Sequence, residues 1–260
     1  MKVVIIGSGN VATVLGGKAR AAGHEILQVV SRNPETASSL AREWACAYTA
    51  QWSKTDQTAD IYIVALNDKA LENIGSVLAL PGKLVVHTAG AVSVSALEPV
   101  SANSGVLYPL QSLRAAIRPF PETPLLIDAL RQGDLHKIET FARTLSGQVQ
   151  QADDSTRLKL HVAAILVNNF TNYLYTQAAG FCREEAIDFS LLLPLIRETA
   201  ERISRFPPEQ LQTGPAVRGD RSTIEKHLKI LSNYKDIKEL YNLFTLKIEE
   251  FYRVNENPVL

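Results

Sequence analysis

The sequence predicts an α/β fold: a mostly parallel sheet at the N-terminal end, followed by an all-α domain. Two observations support this prediction. Before residue 150, short apolar runs bounded by Gly, Pro, Asn or Asp alternate with helical patterns, which is typical of βαβ units. Beyond it, only Gly180, Gly214 and Gly219 remain of the 14 glycines, and helical patterns take over. The 260 residues suffice for two modest domains, which we place at 1–152 and 153–260.

Eight segments of the first domain are predicted to be strands. Two of them, around Ile61–Leu66 and Leu84–Val86, are continuously apolar, as in a parallel sheet that is covered by helices on both faces. The predicted strands are Lys2–Ile6, Ile26–Ser31, Ala45–Thr49, Asp60–Leu66, Lys83–Thr88, Gly105–Pro109, Pro124–Ile127 and Gln148–Gln151.

The second domain is predicted to begin with a long helix. Its capping segment is Asp153-Asp154-Ser155, and the helix over Ser155–Ala179 is apolar around most of its circumference, like the central helix of a helical domain. Further helices are predicted at Arg183–Ile203, Ser222–Ser232 and Lys235–Tyr252.

Composition excludes several classes of partner. Lys+Arg and Asp+Glu both number 27, which argues against nucleic acid and anionic membranes as main partners. Cys46 and Cys182 have no metal-ligand spacing and are too few for a disulfide framework, so we expect no metal site and a reducing cytoplasm. Because no stretch approaches 18 unbroken apolar residues and no export signal is visible, we expect a soluble protein.

The first strand leads directly into a glycine-rich loop, Gly7-Ser8-Gly9-Asn10-Val11-Ala12, which opens a helix. Gly7 permits a tight turn, Gly9 allows close approach of a pyrophosphate, and Ala12 lets the helix lie close to the sheet. This arrangement predicts a Rossmann-type dinucleotide site, with Gly7, Ser8, Gly9, Asn10 and Val11 as cofactor-binding residues. The alternative is a structural turn with no ligand.

The end of the second strand indicates which dinucleotide binds. NAD sites usually have Asp or Glu there, whereas this chain has Ser31-Arg32-Asn33. A hydroxyl, a guanidinium and an amide suit a 2′-phosphate, so NADP is favoured, unless Arg32 is merely a solvated surface residue. Two further strand ends, Leu66-Asn67 and His87-Thr88, are also predicted to contact the cofactor. For His87 the alternative is a buried, hydrogen-bonded structural role.

Three further motifs complete a family pattern. They are Tyr108-Pro-Leu-Gln111, His161 with Asn168-Asn169, and Thr213-Gly-Pro-Ala-Val-Arg-Gly-Asp220 with His227. With the glycine loop, they resemble a bacterial family of Rossmann-like NADP oxidoreductases that carry a C-terminal helical domain of unknown function. More distantly, the layout is similar to pyrroline-5-carboxylate reductase, deazaflavin-dependent NADP oxidoreductase, and the 6-phosphogluconate and β-hydroxyacid dehydrogenases. The resemblance implies an interdomain substrate cleft and dimerisation through the helices.

One departure limits what the resemblance implies. The β-hydroxyacid dehydrogenases carry a catalytic Lys four residues before an Asn on the first helix of the second domain. Here Asn168 matches that Asn, but Ala164 stands in the place of the Lys, and Lys159 is followed at the same spacing by Ala163. The Lys-dependent mechanism and its substrate class therefore do not transfer to this chain.

Helical spacing places His161, Asn168 and Asn172 in one polar stripe, so His161 is the first candidate proton donor, with Asn168 beside it and His227 second. The alternative is that these groups only bond to one another. The predicted substrate-binding residues are Tyr108, Gln111, Asn169, Arg218 and Asp220.

The loop that carries Arg218 and Asp220 precedes a predicted capping box, Ser222 with Glu225. An Arg beside a helix N-terminus suits an acidic substrate group. The alternative reading is an internal Arg218–Asp220 pair that fixes the turn.

The sequence therefore predicts an NADP-dependent oxidoreductase that transfers hydride between NADP(H) and a small carbonyl, imine or hydroxy compound. The expected partners are a small-molecule substrate and a second copy of the chain. The main alternative is a non-catalytic NADP-binding module that senses redox state, and a Rossmann-type methyltransferase fits the helical domain less well.

Overall fold

The computed structural model describes residues 1–256 and confirms the predicted fold class. All eight predicted strands are present, with ends that differ from the prediction by at most two residues. They are β1 (Lys2–Ile6), β2 (Glu25–Val30), β3 (Ala47–Thr49), β4 (Ile61–Val64), β5 (Leu84–His87), β6 (Ser104–Pro109), β7 (Leu125–Ala129) and β8 (Val149–Gln151).

The strands form one sheet in the order β3-β2-β1-β4-β5-β6-β7-β8. The pairs from β3 across to β6 are parallel, β6 and β7 are antiparallel, and β7 and β8 are parallel again. The chain therefore moves outward from β1 in both directions, and the carboxyl ends of β1, β2 and β4 meet at the switch point where open α/β sheets bind ligands.

Nine α-helices lie within residues 1–256. They are α1 (Asn10–Ala21), α2 (Pro34–Trp44), α3 (Asp68–Glu72), α4 (Gln132–Leu145), α5 (Asp154–Ala164), α6 (Thr171–Glu184), α7 (Leu193–Arg202), α8 (Arg221–Ile230) and α9 (Lys235–Glu256). A π-helical turn, Ile165–Phe170, joins α5 to α6. Short 3₁₀ turns lie at Trp52–Lys54, Ile74–Ser76, Val94–Leu97, Phe189–Leu192, Pro208–Gln210 and Leu231–Asn233. No helix of this part of the chain is long and apolar enough to cross a membrane.

The sheet is covered on both faces, which accounts for its continuously apolar strands. Alternate residues of β1 point to opposite faces, so Val3 and Ile5 join the core under α1, α2 and α4. Val4 and Ile6 pack on the other face in a second core cluster, which also contains Leu71 of α3.

The chain divides into two compact units, Met1–Asn169 and Phe170–Leu260, of which residues 257–260 lie outside the described part. The first unit contains α5, which the sequence analysis assigns to the second domain. The reason is a buried contact: the Arg157 guanidinium donates to the Val92 carbonyl (2.5 Å) and to Asp154 Oδ1 (2.6 Å). Asp154 in turn accepts from the Val94 N–H at 3.0 Å.

Two predicted helices differ from the structure. The single helix predicted over Arg183–Ile203 is wrong, because the chain leaves the helix after Glu184 and Ala186 adopts φ +54°. Asp188 then caps a 3₁₀ turn by accepting from the Ser190 N–H, and Pro194 lies in the first turn of α7. The predicted Ser155–Ala179 helix is present but contains the π-helical turn, which shifts the helical register beyond Ala164.

Candidate active site

The glycine-rich loop forms the turn that the sequence predicts. Gly7 has φ +119°, and its N–H donates to the Val30 carbonyl at 2.8 Å. A Cβ at Gly7 would lie only 2.3 Å from the Ala65 carbonyl oxygen. Both the backbone conformation and the close approach of β4 therefore require glycine at this position.

Gly9 has a different role, since a Cβ there would meet no protein atom within 4 Å. Helix α1 begins at the next residue without a side-chain cap and without an acidic residue in its first turn. Its first N–H groups and its positive dipole end are thus available to an anion. Ala12 is fully buried where α1 lies on the sheet, and Val11 packs partly against the same core. These features fit the pyrophosphate of a dinucleotide.

Ser8 connects the glycine-rich loop to the end of β2. Its hydroxyl lies 2.8 Å from the Ser31 hydroxyl and 2.6 Å from that of Thr36 in α2. Asn33 caps α2 with its side-chain oxygen, which accepts from the Glu35 and Thr36 N–H groups. The Asn33 side-chain oxygen is therefore already hydrogen-bonded within the protein. The sequence analysis did not identify Thr36 as a residue of this site.

Two other predicted cofactor residues fix neighbouring segments. The Asn10 side-chain oxygen accepts from the Ala115 N–H at 3.0 Å, which holds the β6–β7 connection over the start of α1. Asn67 caps α3 by accepting from the Ala70 N–H at 2.9 Å. Leu66 and Asn67 also line a cavity of about 380 Å³ together with the exposed Arg32.

His87 is completely buried at the end of β5. Its Nε2 lies 3.1 Å from the Ser93 carbonyl, and its Nδ1 lies 3.3 Å from the Ala89 nitrogen. Burial, helped by the positive charge of Arg157, lowers the pKa of His87 to about 4, so the ring is neutral with its proton on Nε2. Both nitrogens hold the loop that follows β5, and Thr88 beside it is buried too. The structure thus matches the alternative role considered for His87.

Five predicted site residues line one cavity of about 480 Å³ in the first unit. They are Tyr108, Gln111, His161, Asn168 and Asn169, and the other lining residues are Leu110, Ser112, Leu160, Ala163, Ala164, Ile165 and Val167. The sequence analysis identified each of the five separately, and the fold places them around a common space.

On the wall of this cavity, the Tyr108 hydroxyl lies 2.9 Å from His161 Nδ1. The two rings meet edge to face, with centroids 6.0 Å apart. Gly90, in the loop after β5, packs against both: a Cβ there would lie 2.9 Å from Tyr108 Cζ and 3.0 Å from His161 Nδ1. The pair therefore contacts a loop at the carboxyl end of the sheet, where the reactive end of a dinucleotide lies in this fold class.

Within this pair, burial acts on the Tyr108 hydroxyl. Burial raises the pKa of the Tyr108 hydroxyl, and the positive charge of Arg157 only partly opposes that change. Tyr108 thus remains a protonated phenol at neutral pH and can donate or accept a hydrogen bond.

The polar wall of the cavity is built from two segments. Gln111 is fixed by its own loop, because its Nε2 donates to the Glu122 carbonyl (3.3 Å) and its Oε1 accepts from the Ser112 N–H (3.0 Å). Asn168 and Asn169 lie in the π-helical turn and are exposed. Ala164 lines the same wall, so the structure offers no cation at the position where the β-hydroxyacid dehydrogenases carry Lys.

The remaining candidates belong to the second unit. Asp220 caps α8, accepting from the Thr223 N–H (3.1 Å) and hydroxyl (2.7 Å), so the capping box predicted at Ser222 is wrong. Arg218 is exposed and lies beyond ion-pair distance of Asp220. The Thr223 hydrogen bonds, helped by the positive charge of Arg218, lower the pKa of the Asp220 carboxyl. His227 Nδ1 lies 2.8 Å from the Tyr241 hydroxyl, at a mostly apolar cavity of about 560 Å³.

Comparison with known proteins identifies the family. Residues 2–90 match the family described as NADP oxidoreductase, coenzyme F420-dependent, and residues 123–248 match a domain of unknown function, DUF2520. The putative NADP oxidoreductase of Bacteroides fragilis is 36% identical, with a TM-score of 0.87 over 96% of this chain and 98% of its own. The chain belongs to this NADP oxidoreductase family. The predicted family is thus confirmed, and so is NADP as the cofactor of the family.

Other solved structures share the fold of this oxidoreductase at low identity. A protein from Thermotoga maritima is 19% identical, with a TM-score of 0.77 over 96% of this chain and 99% of its own. An imine reductase from Myxococcus stipitatus in complex with NADP⁺ is 15% identical, with a TM-score of 0.66 over 98% and 95%. A 1-pyrroline-5-carboxylate reductase from Streptococcus pyogenes is 14% identical, with a TM-score of 0.61 over 96% and 98%. A search of curated proteins found no match to the sequence.

The two loop glycines give a matched pair of variants. In Gly7→Ala, the strained backbone and the contact with Ala65 are expected to lower the free energy of unfolding by about 1–3 kcal/mol. In Gly9→Ala, we expect unfolding to change by less than about 0.5 kcal/mol. NADPH affinity should nevertheless fall at least tenfold, about 1.4 kcal/mol, because the new methyl group occupies the space for the pyrophosphate. Urea unfolding and calorimetric titration measure the two effects, and unchanged affinity in Gly9→Ala would contradict the assignment.

The buried His87 makes stability depend on pH. Its pKa is about 4 in the folded chain against an ordinary 6.5, so below pH 6.5 the unfolded chain binds a proton that the folded chain does not. Stability is therefore lost as the pH falls, by about 3 kcal/mol between pH 7 and pH 4. We expect His87→Gln to remove this component in urea titrations across that range. The exposed His136→Gln is the control, and equal pH profiles for His87→Gln and the parent protein would refute the assignment.

Proposed function

We propose that this protein is an NADPH-dependent reductase that transfers hydride to a small carbonyl or imine compound. In the opposite direction, it would transfer hydride from a hydroxy compound or amine to NADP⁺. The observation that carries the proposal is the Tyr108–His161 pair in the 480 Å³ cavity, in contact with Gly90 on the loop after β5. An imidazole, a phenol and three amides around one cavity can supply the proton and the orienting hydrogen bonds that reduction of a carbonyl or imine needs.

The cofactor site is assigned to the glycine-rich loop and the end of β2. The N–H groups at the start of α1 would hold the pyrophosphate, and Ser31 with Arg32 would hold the 2′-phosphate. When bound, NADPH supplies the hydride, that is, two electrons and one hydrogen nucleus. The protein must then supply one proton to the heteroatom of the substrate.

We assign that proton to His161. Its Nδ1 is held by the Tyr108 hydroxyl, which fixes the ring in the cavity, and a positioned imidazole is a common general acid in enzymes. The carbonyl oxygen or imine nitrogen gains the proton as the adjacent carbon gains the hydride, so charge and atoms balance. Gln111, Asn168 and Asn169 would orient the substrate by hydrogen bonds.

A panel of small cyclic imines, aldehydes and ketones, assayed by NADPH absorbance, tests the activity directly. Imines belong in the panel because the fold is shared with proteins named as imine and 1-pyrroline-5-carboxylate reductases. Oxidation of NADPH that depends on one of these compounds supports the proposal. A protein that binds NADPH tightly but turns over no member of the panel would point to the redox-sensing alternative.

The proton-donor assignment makes a kinetic prediction. His161→Ala should lower kcat at least tenfold, the lower end of what general acid catalysis contributes, and leave NADPH affinity nearly unchanged. Tyr108→Phe keeps the ring but loses the bond to Nδ1, so its loss of kcat should be smaller. Unchanged kcat in His161→Ala would remove His161 from the mechanism. His227→Ala is the comparison variant, because His227 is the second candidate proton donor.

We also propose that the protein is a homodimer assembled largely through its helices. Five large apolar side chains are exposed before residue 153, whereas eighteen are exposed from Leu158 onward within the described residues. Leu191 is 71% exposed and Leu195 is 63% exposed, more than a monomeric helical unit of this size would leave in water. A second copy of the chain is the natural partner for such a surface.

Light scattering tests the dimer. We expect about twice the 28.6 kDa mass of the chain at micromolar concentration. Leu191→Glu and Leu195→Glu should shift the mass toward the monomer, because each places a charge in the interface. Tyr48→Glu, at a similarly exposed position of β3, is the control and should have no effect. A monomer mass for the parent protein would refute the dimer.

A further inference from the structure

A cavity of about 380 Å³ lies beside the carboxyl ends of β2 and β4, next to the switch point of the sheet. It is formed by the residue after Ser31, by the 3₁₀ turn that follows β3, and by α3 with its flanking residues. The lining residues are Arg32, Trp52, Leu66, Asn67, Lys69, Ala70, Asn73, Ile74, Ser76 and Val77.

The charges of this cavity are unbalanced. Arg32 and Lys69 both line it, and its lining, all of it within the described residues, includes no Asp or Glu. Between residues 1 and 256, neither the Arg32 guanidinium nor the Lys69 ammonium has a hydrogen bond or ion pair within the protein. Two unneutralised cations around one space repel each other and favour an anion between them. A phosphate monoester suits both, since Arg binds it in a bidentate manner and Lys binds it as a point charge.

Part of the remaining wall is apolar and includes an aromatic ring. Trp52 is half-buried and packs against the core cluster under β1 and β4, so its indole is held in place. Ile74, also on the wall, is fully buried in the same cluster. An aromatic wall beside two cations fits a purine ring linked to a phosphate group.

We propose that Lys69 is a second cation for the 2′-phosphate of NADP and that Trp52 contacts the adenine ring. This inference rests on the cofactor site of the proposed function, which assigns the 2′-phosphate to Ser31 and Arg32. Lys69 would join Ser31 and Arg32 at the phosphate. The Asn33 side-chain oxygen caps α2, so only its NH2 group could donate to a phosphate. Preference for NADP over NAD is then set by two segments, one after β2 and one after β4.

Calorimetric titrations with NADPH, NADH and 2′,5′-ADP test Lys69 without any substrate. Lys69→Gln should weaken NADPH and 2′,5′-ADP at least tenfold and leave NADH unchanged, because only the first two carry the 2′-phosphate. Arg32→Gln should show the same selectivity, and Lys69→Arg should keep most of the affinity. Lys54→Gln is the matched control, since Lys54 belongs to the same 3₁₀ turn as Trp52 but does not line the cavity.

Each outcome has a distinct meaning. Equal weakening of NADPH and NADH by Lys69→Gln, or no weakening, would overturn the assignment of Lys69. These titrations measure cofactor affinity and need no turnover. They therefore test Lys69 even if no compound of the substrate panel is reduced, and the reductase proposal can fail separately. Circular dichroism checks that Lys69→Gln, a change of an exposed side chain, leaves the fold intact.

Tryptophan fluorescence tests the proposed contact between Trp52 and the adenine ring. The chain has two tryptophans, and Trp44 lies buried in the core on the opposite face of the sheet. In a Trp44→Phe protein the emission therefore comes from Trp52, and stacking with adenine should quench it when 2′,5′-ADP is added. Trp52→Ala should weaken NADPH and NADH by the same factor, about tenfold for a stacked base. Unchanged emission at saturating 2′,5′-ADP would exclude the contact.

Discussion

The buried guanidinium of Arg157 determines the arrangement of the candidate active site. It is 1% exposed, and a charge in that position is stable only with bonded partners, which the Asp154 carboxylate and the Val92 carbonyl provide. These bonds fasten the first turn of α5 to the loop after β5. His161 follows Arg157 by one helical turn and therefore lies on the same side of α5, beside Tyr108 and Gly90. The same charge also helps to keep His87 neutral.

Polar residues at the strand ends serve the fold and the ligand sites together. Asn33, Asn67 and Asp220 each cap a helix with a side-chain oxygen, although each was also a candidate ligand-binding group. Asn can serve in both ways, because its oxygen accepts from the free N–H groups of a helix while its NH2 group can donate to a ligand. Residue type and position therefore do not distinguish the two uses.

The parts of the fold that depend on local signals were predictable from the sequence. The strands and the glycine-rich loop are of this kind, since apolar runs and the φ requirement of Gly7 are local properties. The break after Glu184 was missed because a left-handed Ala186 has no sequence signature. His161 and Tyr108 were each identified, but their pairing, across 53 positions of sequence, needed the fold. Lys69 was missed because its place beside Arg32, 37 positions away in the sequence, depends on the fold.

The hydrogen bond between Asn10 and Ala115 makes the β6–β7 connection part of two sites. Its first residues, Gln111 and Ser112, form a wall of the Tyr108–His161 cavity, and three residues later the same connection is anchored to the first residue of α1. An enzyme engineer who varies this segment to change the accepted substrate would also disturb the helix end that faces the dinucleotide. Libraries at Gln111 and Ser112 should therefore keep Ala115 and Asn10 fixed and be selected at limiting cofactor concentration.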